Sequence, residues 1–195
     1  TFCNSASRND ANPPVIGNGS QLRTLIAPCA KSSTLRKIVK LCPLLQTLHI
    51  TQPERAAGST TDNLRAEQRL KCILSRSITS LSLEGYTNMS NDDLLVLMYS
   101  KLQKLTLRDA DKITDVALVT LVPTLQSLRS ISIDYCANIS NKVVMEVPRL
   151  CPSLRSFGYS QPNGCGCCGN TTSAELFKQL LPIVFPHVTK FDVSC

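Results

Sequence analysis

The densest group of reactive side chains in this sequence is Cys165-x-Cys167-Cys168. A structural zinc ion takes four ligands, commonly in pairs with about two to four residues between them. Three cysteines within four positions are cramped for that geometry, and a fourth ligand would have to come from Cys195 or His187. Exposed thiols open to oxidation, or an inert loop, account for the cluster with fewer requirements. No metal and no other cofactor is therefore expected. Acid–base chemistry has little to work with, because histidine occurs only at His49 and His187. No glycine-rich phosphate loop follows a strand-like run, and no Gly-x-Ser-x-Gly elbow is present. The sequence reads as a non-catalytic protein.

A second concentration of charge is basic. Arg36, Lys37 and Lys40, with Lys31 nearby, fall on a helix signal over Thr34–Leu41. Arg36 and Lys40 are four residues apart and so share a face, with Leu35, Ile38, Val39 and Leu41 as the buried side. Such runs are usually solvated faces. The functional alternative is contact with an acidic protein or an RNA backbone. The chain carries 21 Lys+Arg against 14 Asp+Glu, a net charge of +7, and residues 1–50 hold six basic residues against Asp10 alone. Trp is absent and aromatics are 5%, which argues against a platform of stacked bases. Any nucleic-acid contact would be to phosphates.

The elements that position these residues come from an internal repeat. The pattern apolar-x-x-apolar-x-apolar occurs seven times, as in Leu45-x-x-Leu48-x-Ile50, Leu102-x-x-Leu105-x-Leu107 and Leu128-x-x-Ile131-x-Ile133. Its central residues are 25, 48, 81, 105, 131, 157 and 191, with spacings of 23, 33, 24, 26, 26 and 34. Helix-start signals follow several copies: Ser90-x-x-Asp93 before Asp92–Tyr99, Thr114 before Asp115–Val122, Ser140 before Asn141–Leu150, and Thr172-x-x-Glu175 before Ser173–Leu181. Prolines, Pro148 among them, cluster where these helices should end. Short strand, turn, helix and return at this length demand parallel strands.

This pattern resembles the leucine-rich repeat, and the 26-residue copies are similar to its cysteine-containing subfamily. The resemblance rests on Leu128-Arg-Ser-Ile131-Ser-Ile133-Asp-Tyr-Cys136-Ala-Asn-Ile139-Ser140, on Ile113-Thr114-Asp115-Val116-Ala117-Leu118, and on Leu41-Cys42-Pro43 and Leu150-Cys151-Pro152. It covers roughly residues 20–195. Only Cys136 occupies the ninth-position cysteine; Tyr86 and Ala110 stand at the equivalent places. The resemblance implies an α/β solenoid, a right-handed horseshoe segment with parallel strands on the concave face and helices on the convex face. Residues 1–19 read as an extended arm outside it. The resemblance also implies a role in protein recognition, above all as the substrate-holding module of an F-box type ubiquitin ligase. A structural subunit of a large assembly (an organelle complex, a ribonucleoprotein particle or an axoneme) is the alternative, and a thiol redox or zinc protein a third. The chain begins at Thr1, which fits processing or a longer parent.

Side chains alternate along a strand, so the residues between the apolar positions line the open face. Glu84, Arg108 and Asp134 should form one row with alternating charge, Arg108 forked between two carboxylates, and Lys104 beside it. That row is either a register-fixing ion ladder or a partner strip. The two long spacings place polar insertions at 52–61 and 161–172, both opening Gln-Pro, on one rim. Glu54, Arg55 and Asn163 are the residues there expected to touch a partner. Cys42, Cys136 and Cys151 sit at apolar repeat positions and read as buried free thiols, hence an intracellular, reducing compartment: cytoplasm, nucleus or an organelle. Apolar runs such as Leu94–Met98 are too short to cross a membrane.

Overall fold

A computed structural model describes residues 21–28, 32–52, 70, 77–140, 142–161 and 182–194. Each apolar triplet of the repeat forms a five-residue strand: β1 Thr24–Pro28, β2 Thr47–Thr51, β3 Ser80–Glu84, β4 Lys104–Arg108, β5 Ser130–Asp134, β6 Ser156–Ser160 and β7 Lys190–Ser194. They make one parallel sheet in sequence order, β1 to β7. The strands pair without slippage, Leu48 against Leu81, Leu81 against Leu105, Leu105 against Ile131 and Ile131 against Phe157. Period-two alternation sends Leu48, Leu81, Leu105, Leu107, Ile131 and Ile133 inward, each at most 1% exposed.

Among the described residues, helices with defined bounds return the chain: α1 Ser32–Leu41, α2 Asn91–Leu95, α3 Asp115–Leu121, continued as a 3₁₀ turn over Val122–Thr124, and α4 Lys142–Leu150. Leu94, Leu118, Leu121, Val143 and Val147 pack with the strand residues into one continuous core, which puts the helices on one side of the sheet. The other side is left open. This is an α/β solenoid of the leucine-rich-repeat type. Tyr86, Ala110 and Cys136 occupy the same turn of successive repeats and are all buried.

The structure departs from the sequence expectations at several helix ends. Helix α2 stops at Leu95, well short of Tyr99. Leu41 is 62% exposed rather than part of the buried face of α1, whereas Val39 and Cys42 are buried as expected. Pro148 lies inside α4 instead of ending it, in the last turn where only one helical hydrogen bond is lost. Ser90 and Asp93 form the expected capping box. Thr114 sits at the N-cap of α3, but its side chain makes no cap bond.

Thr114 is instead used between repeats. The Asn91 side chain accepts from the Thr114 N–H at 3.0 Å and donates to its hydroxyl at 2.9 Å. One repeat later the Asp115 carboxylate accepts from the N–H and the hydroxyl of Ser140. In α2 and α3 the first helix residue thus holds the helix start of the next repeat. The arm at residues 1–19 and the Ser173–Leu181 helix signal lie outside the described residues.

Candidate functional site

Strand pairing places Glu84 beside Arg108 and Arg108 beside Asp134, as the alternation requires. Neighbouring parallel strands are about 4.8 Å apart, so the three charges form a continuous row. Only one of its two links is an ion pair. Arg108 Nη1 lies 3.6 Å from Glu84 Oε1. The expected fork to Asp134 is not formed. Asp134 accepts from the Ser132 hydroxyl at 3.1 Å, and Arg108 lies over the Tyr135 ring, 5.6 Å from its centroid. A flat guanidinium on an aromatic face gains a cation–π contact, which competes with the second carboxylate.

Glu84 is shared with a residue one row away. His49 Nε2 lies 3.2 Å from Glu84 Oε2 and 3.2 Å from Thr51 Oγ1. An ionised carboxylate only accepts, so Nε2 carries the proton in this contact. The open face therefore holds a linked group, Thr51–His49–Glu84–Arg108–Tyr135, crossing from β2 to the end of β5. Its members are part-exposed, with Arg108 and Tyr135 the most open at 45% and 39%.

Tyr135 is placed by its backbone. The residue after the strand turns left-handed in three consecutive repeats: Gly85 at φ 75°, Asp109 at 53° and Tyr135 at 56°. Each N–H still continues the ladder to the next strand, Gly85 to Arg108 O, Asp109 to Asp134 O and Tyr135 to Ser160 O. At Gly85 no side chain fits, because a Cβ would lie 2.5 Å from the Gln52 carbonyl oxygen. Tyrosine in this conformation is a genuine outlier, costing about 1–2 kcal/mol. Beside Arg108 it gives the open face an aromatic that the strand residues do not supply. Sequence reasoning missed Tyr135 because it adjoins the strand rather than belonging to it. The available signal was its equivalence to Gly85. The pairing of His49 with Glu84 was missed because the two lie in different rows.

The other anticipated residues separate. Lys104 is on β4 at the opposite end from Arg108 and is exposed. Lys37 and Lys40 are exposed on α1, and Arg36 is in the same helix. Glu54, Arg55, Asn163, Cys165, Cys167 and Cys168 lie outside the described residues. Among the described residues no His, Cys, Asp or Glu group is arranged to hold a metal ion. At the start of the second insertion the Gln161 amide nitrogen donates to Cys136 O at 2.8 Å and Ile139 O at 2.9 Å, tying that point to the neighbouring repeat.

The three thiols at repeat positions are buried and free. Burial pushes the Cys136 thiol up to about 12, with Asp111, Asp109 and Asp134 adding in the same direction. Burial raises Cys151 and Cys42 as well. Such thiols are poor nucleophiles and serve as packing groups.

No family model and no curated protein sequence matches the chain. Among solved structures, the tropomodulin C-terminal domain of Caenorhabditis elegans is similar over 67% of this chain and 81% of its own, at 14% sequence identity and a TM-score of 0.47. The fold assignment rests on the chain's own seven-strand register. No helix among the described residues is long and apolar enough to cross a membrane.

Proposed function

We propose that the chain is a non-catalytic protein–protein interaction scaffold that engages a protein partner through the open face of its sheet. The single observation that carries this reading is Tyr135, part-exposed in a left-handed conformation and stacked by Arg108. Backbone strain of this kind persists where the surroundings hold it, and such positions cluster at functional sites. Arginine and tyrosine are also the residue types that dominate binding energy at interfaces. Glu84 orients the guanidinium, and Asp134 sits beside it. The partner is expected also to touch Glu54, Arg55 and Asn163, which lie outside the described residues. The basic helix with Arg36, Lys37 and Lys40 is a separate contact for an acidic protein or an RNA backbone.

The setting implied by the repeat resemblance is substrate recognition within an F-box type ubiquitin ligase, in a reducing intracellular compartment. Membership of a larger structural assembly is the second setting, favoured by the basic first quarter of the chain. Purifying the native protein with its bound partners distinguishes them, since a ligase core accompanies only the first. The surface itself is tested by combining Arg108→Ala with Tyr135→Gly. Partner capture falls at least about tenfold while melting is little changed. Undiminished capture would move the interface away from this face.

A further inference from the structure

The two edges of the sheet carry opposite charge. The turns and helix starts at the C-terminal edge hold Asp92, Asp93, Asp109, Asp111 and Asp115 against Lys112 and Lys142. Helices begin there, and carboxylates suit their positive ends. The segments leading into β2 to β7, residues 42–46, 77–79, 99–103, 125–129, 151–155 and 185–189, contain no Asp or Glu at all. Around them stand Lys101, Lys104, Arg129, Arg155 and Lys190. Helix ends do not explain these cations fully, because all but Lys101 lie at strand starts.

Arg129 and Arg155 are successive members of one row. The Arg129 N–H donates to Gln103 O, and the Arg155 N–H donates to Arg129 O. Strand spacing sets their backbones about 4.8 Å apart, so two like charges face the same water. Among the described residues no side chain pairs with Arg129, Lys101, Lys104 or Lys190. Arg155 spends one nitrogen, Nη1, on the carbonyls of Leu154 at 2.9 Å, Pro152 at 3.2 Å and His187 at 3.3 Å. That anchors the guanidinium and leaves its other nitrogens available. Between the two arginines lies a cleft of about 260 Å³, lined by Gln103, Gln126, Ser127, Arg129, Ser153 and Arg155. It has room for about nine waters. Its lining offers cations, hydroxyls and amides, with no aromatic for a base to stack on.

We infer that this cleft is a second binding site, independent of Arg108 and Tyr135, and that its ligand is an acidic peptide segment of a protein partner. Adjacent uncompensated cations gain most from a carboxylate ligand that neutralises both. A labelled hexaglutamate peptide, titrated against the full chain at low salt, is the probe. Binding is expected to weaken at least about tenfold in Arg129→Gln/Lys104→Gln, whose altered side chains have no partner among the described residues, and to fall with added salt. Lys112→Gln/Lys142→Gln, at the opposite edge, should leave it unchanged. In the unaltered chain the peptide should slow amide exchange over residues 126–130 and 153–156. Equal loss in both double variants, or no protection of those residues, would overturn the proposal. So would tighter binding of a uridine oligonucleotide of equal charge at the same residues.

Discussion

Tyr135 and Gly85 occupy one position of the repeat and answer opposite demands. Gly85 is required by its backbone and by the Gln52 carbonyl beneath it, so Gly85→Ala should destabilise by about 1–3 kcal/mol. Tyr135 bears the strain of φ 56° and recovers part of it from Arg108. Removing the side chain relieves the strain and loses a contact worth about 0.5–1 kcal/mol. Tyr135→Gly should therefore melt within about 1 kcal/mol of wild type, whereas Tyr135→Val, β-branched at positive φ, should cost about 1–2 kcal/mol. Equilibrium unfolding in urea checks the contrast. Cys136 sets a pH dependence. Its folded-state value, about 12, lies above the ordinary 9.0. Below pH 9 both states keep the proton and the full contribution is present. From there to about 12 the unfolded chain gives it up first, so stability falls as pH rises. Unfolding at pH 8 and pH 10.5 should show a smaller fall in Cys136→Ala than in wild type.

At the scale of elements, successive repeats are held in phase by strands on one side and by helix starts on the other. Asn91 makes two hydrogen bonds to Thr114, so Asn91→Ala should cost about 1–2 kcal/mol. With Thr114→Ala the effects should be non-additive, because both changes remove the same contact. Additive losses in the double-mutant cycle would show that the ladder contributes nothing. The strands and their register were legible in the sequence, since a period of two with a buried face leaves no room for a one-residue slip. The helix starts at Ser90 and Ser140 were legible for the same local reason, hydroxyls at the N-cap. The Asn91–Thr114 and Asp115–Ser140 links were not. They join residues 23 and 25 positions apart, and nothing local distinguishes a hydroxyl capping its own helix from one held by the preceding repeat. Leu41 misled because helical periodicity counts apolar residues without knowing where the chain must turn for Cys42.

For the whole molecule, the core is continuous across repeats, and each central strand supports two neighbours. Leu105, fully buried between Leu81 and Ile131, should cost about 2–5 kcal/mol on truncation to alanine. Among the described strands Leu25 on β1 has a neighbour on one side only, so Leu25→Ala should cost less. A repeat array built from nearest-neighbour contacts requires that ordering. The charged row was legible down to its members, Glu84, Arg108 and Asp134. Which carboxylate Arg108 would take was not, because the deciding partner, Tyr135, lies off the strand. The proposed contact of the open face beside Arg108 with a protein partner carries the functional reading. It is tested most directly by replacing Tyr135 with a photoreactive aromatic residue in the intact chain in its native cells, with Val119 on the exposed side of α3 as the control position. The expected result is a discrete covalent adduct with another protein from position 135 and none from position 119. Adducts from position 119 alone would put the partner on the helical side and contradict it.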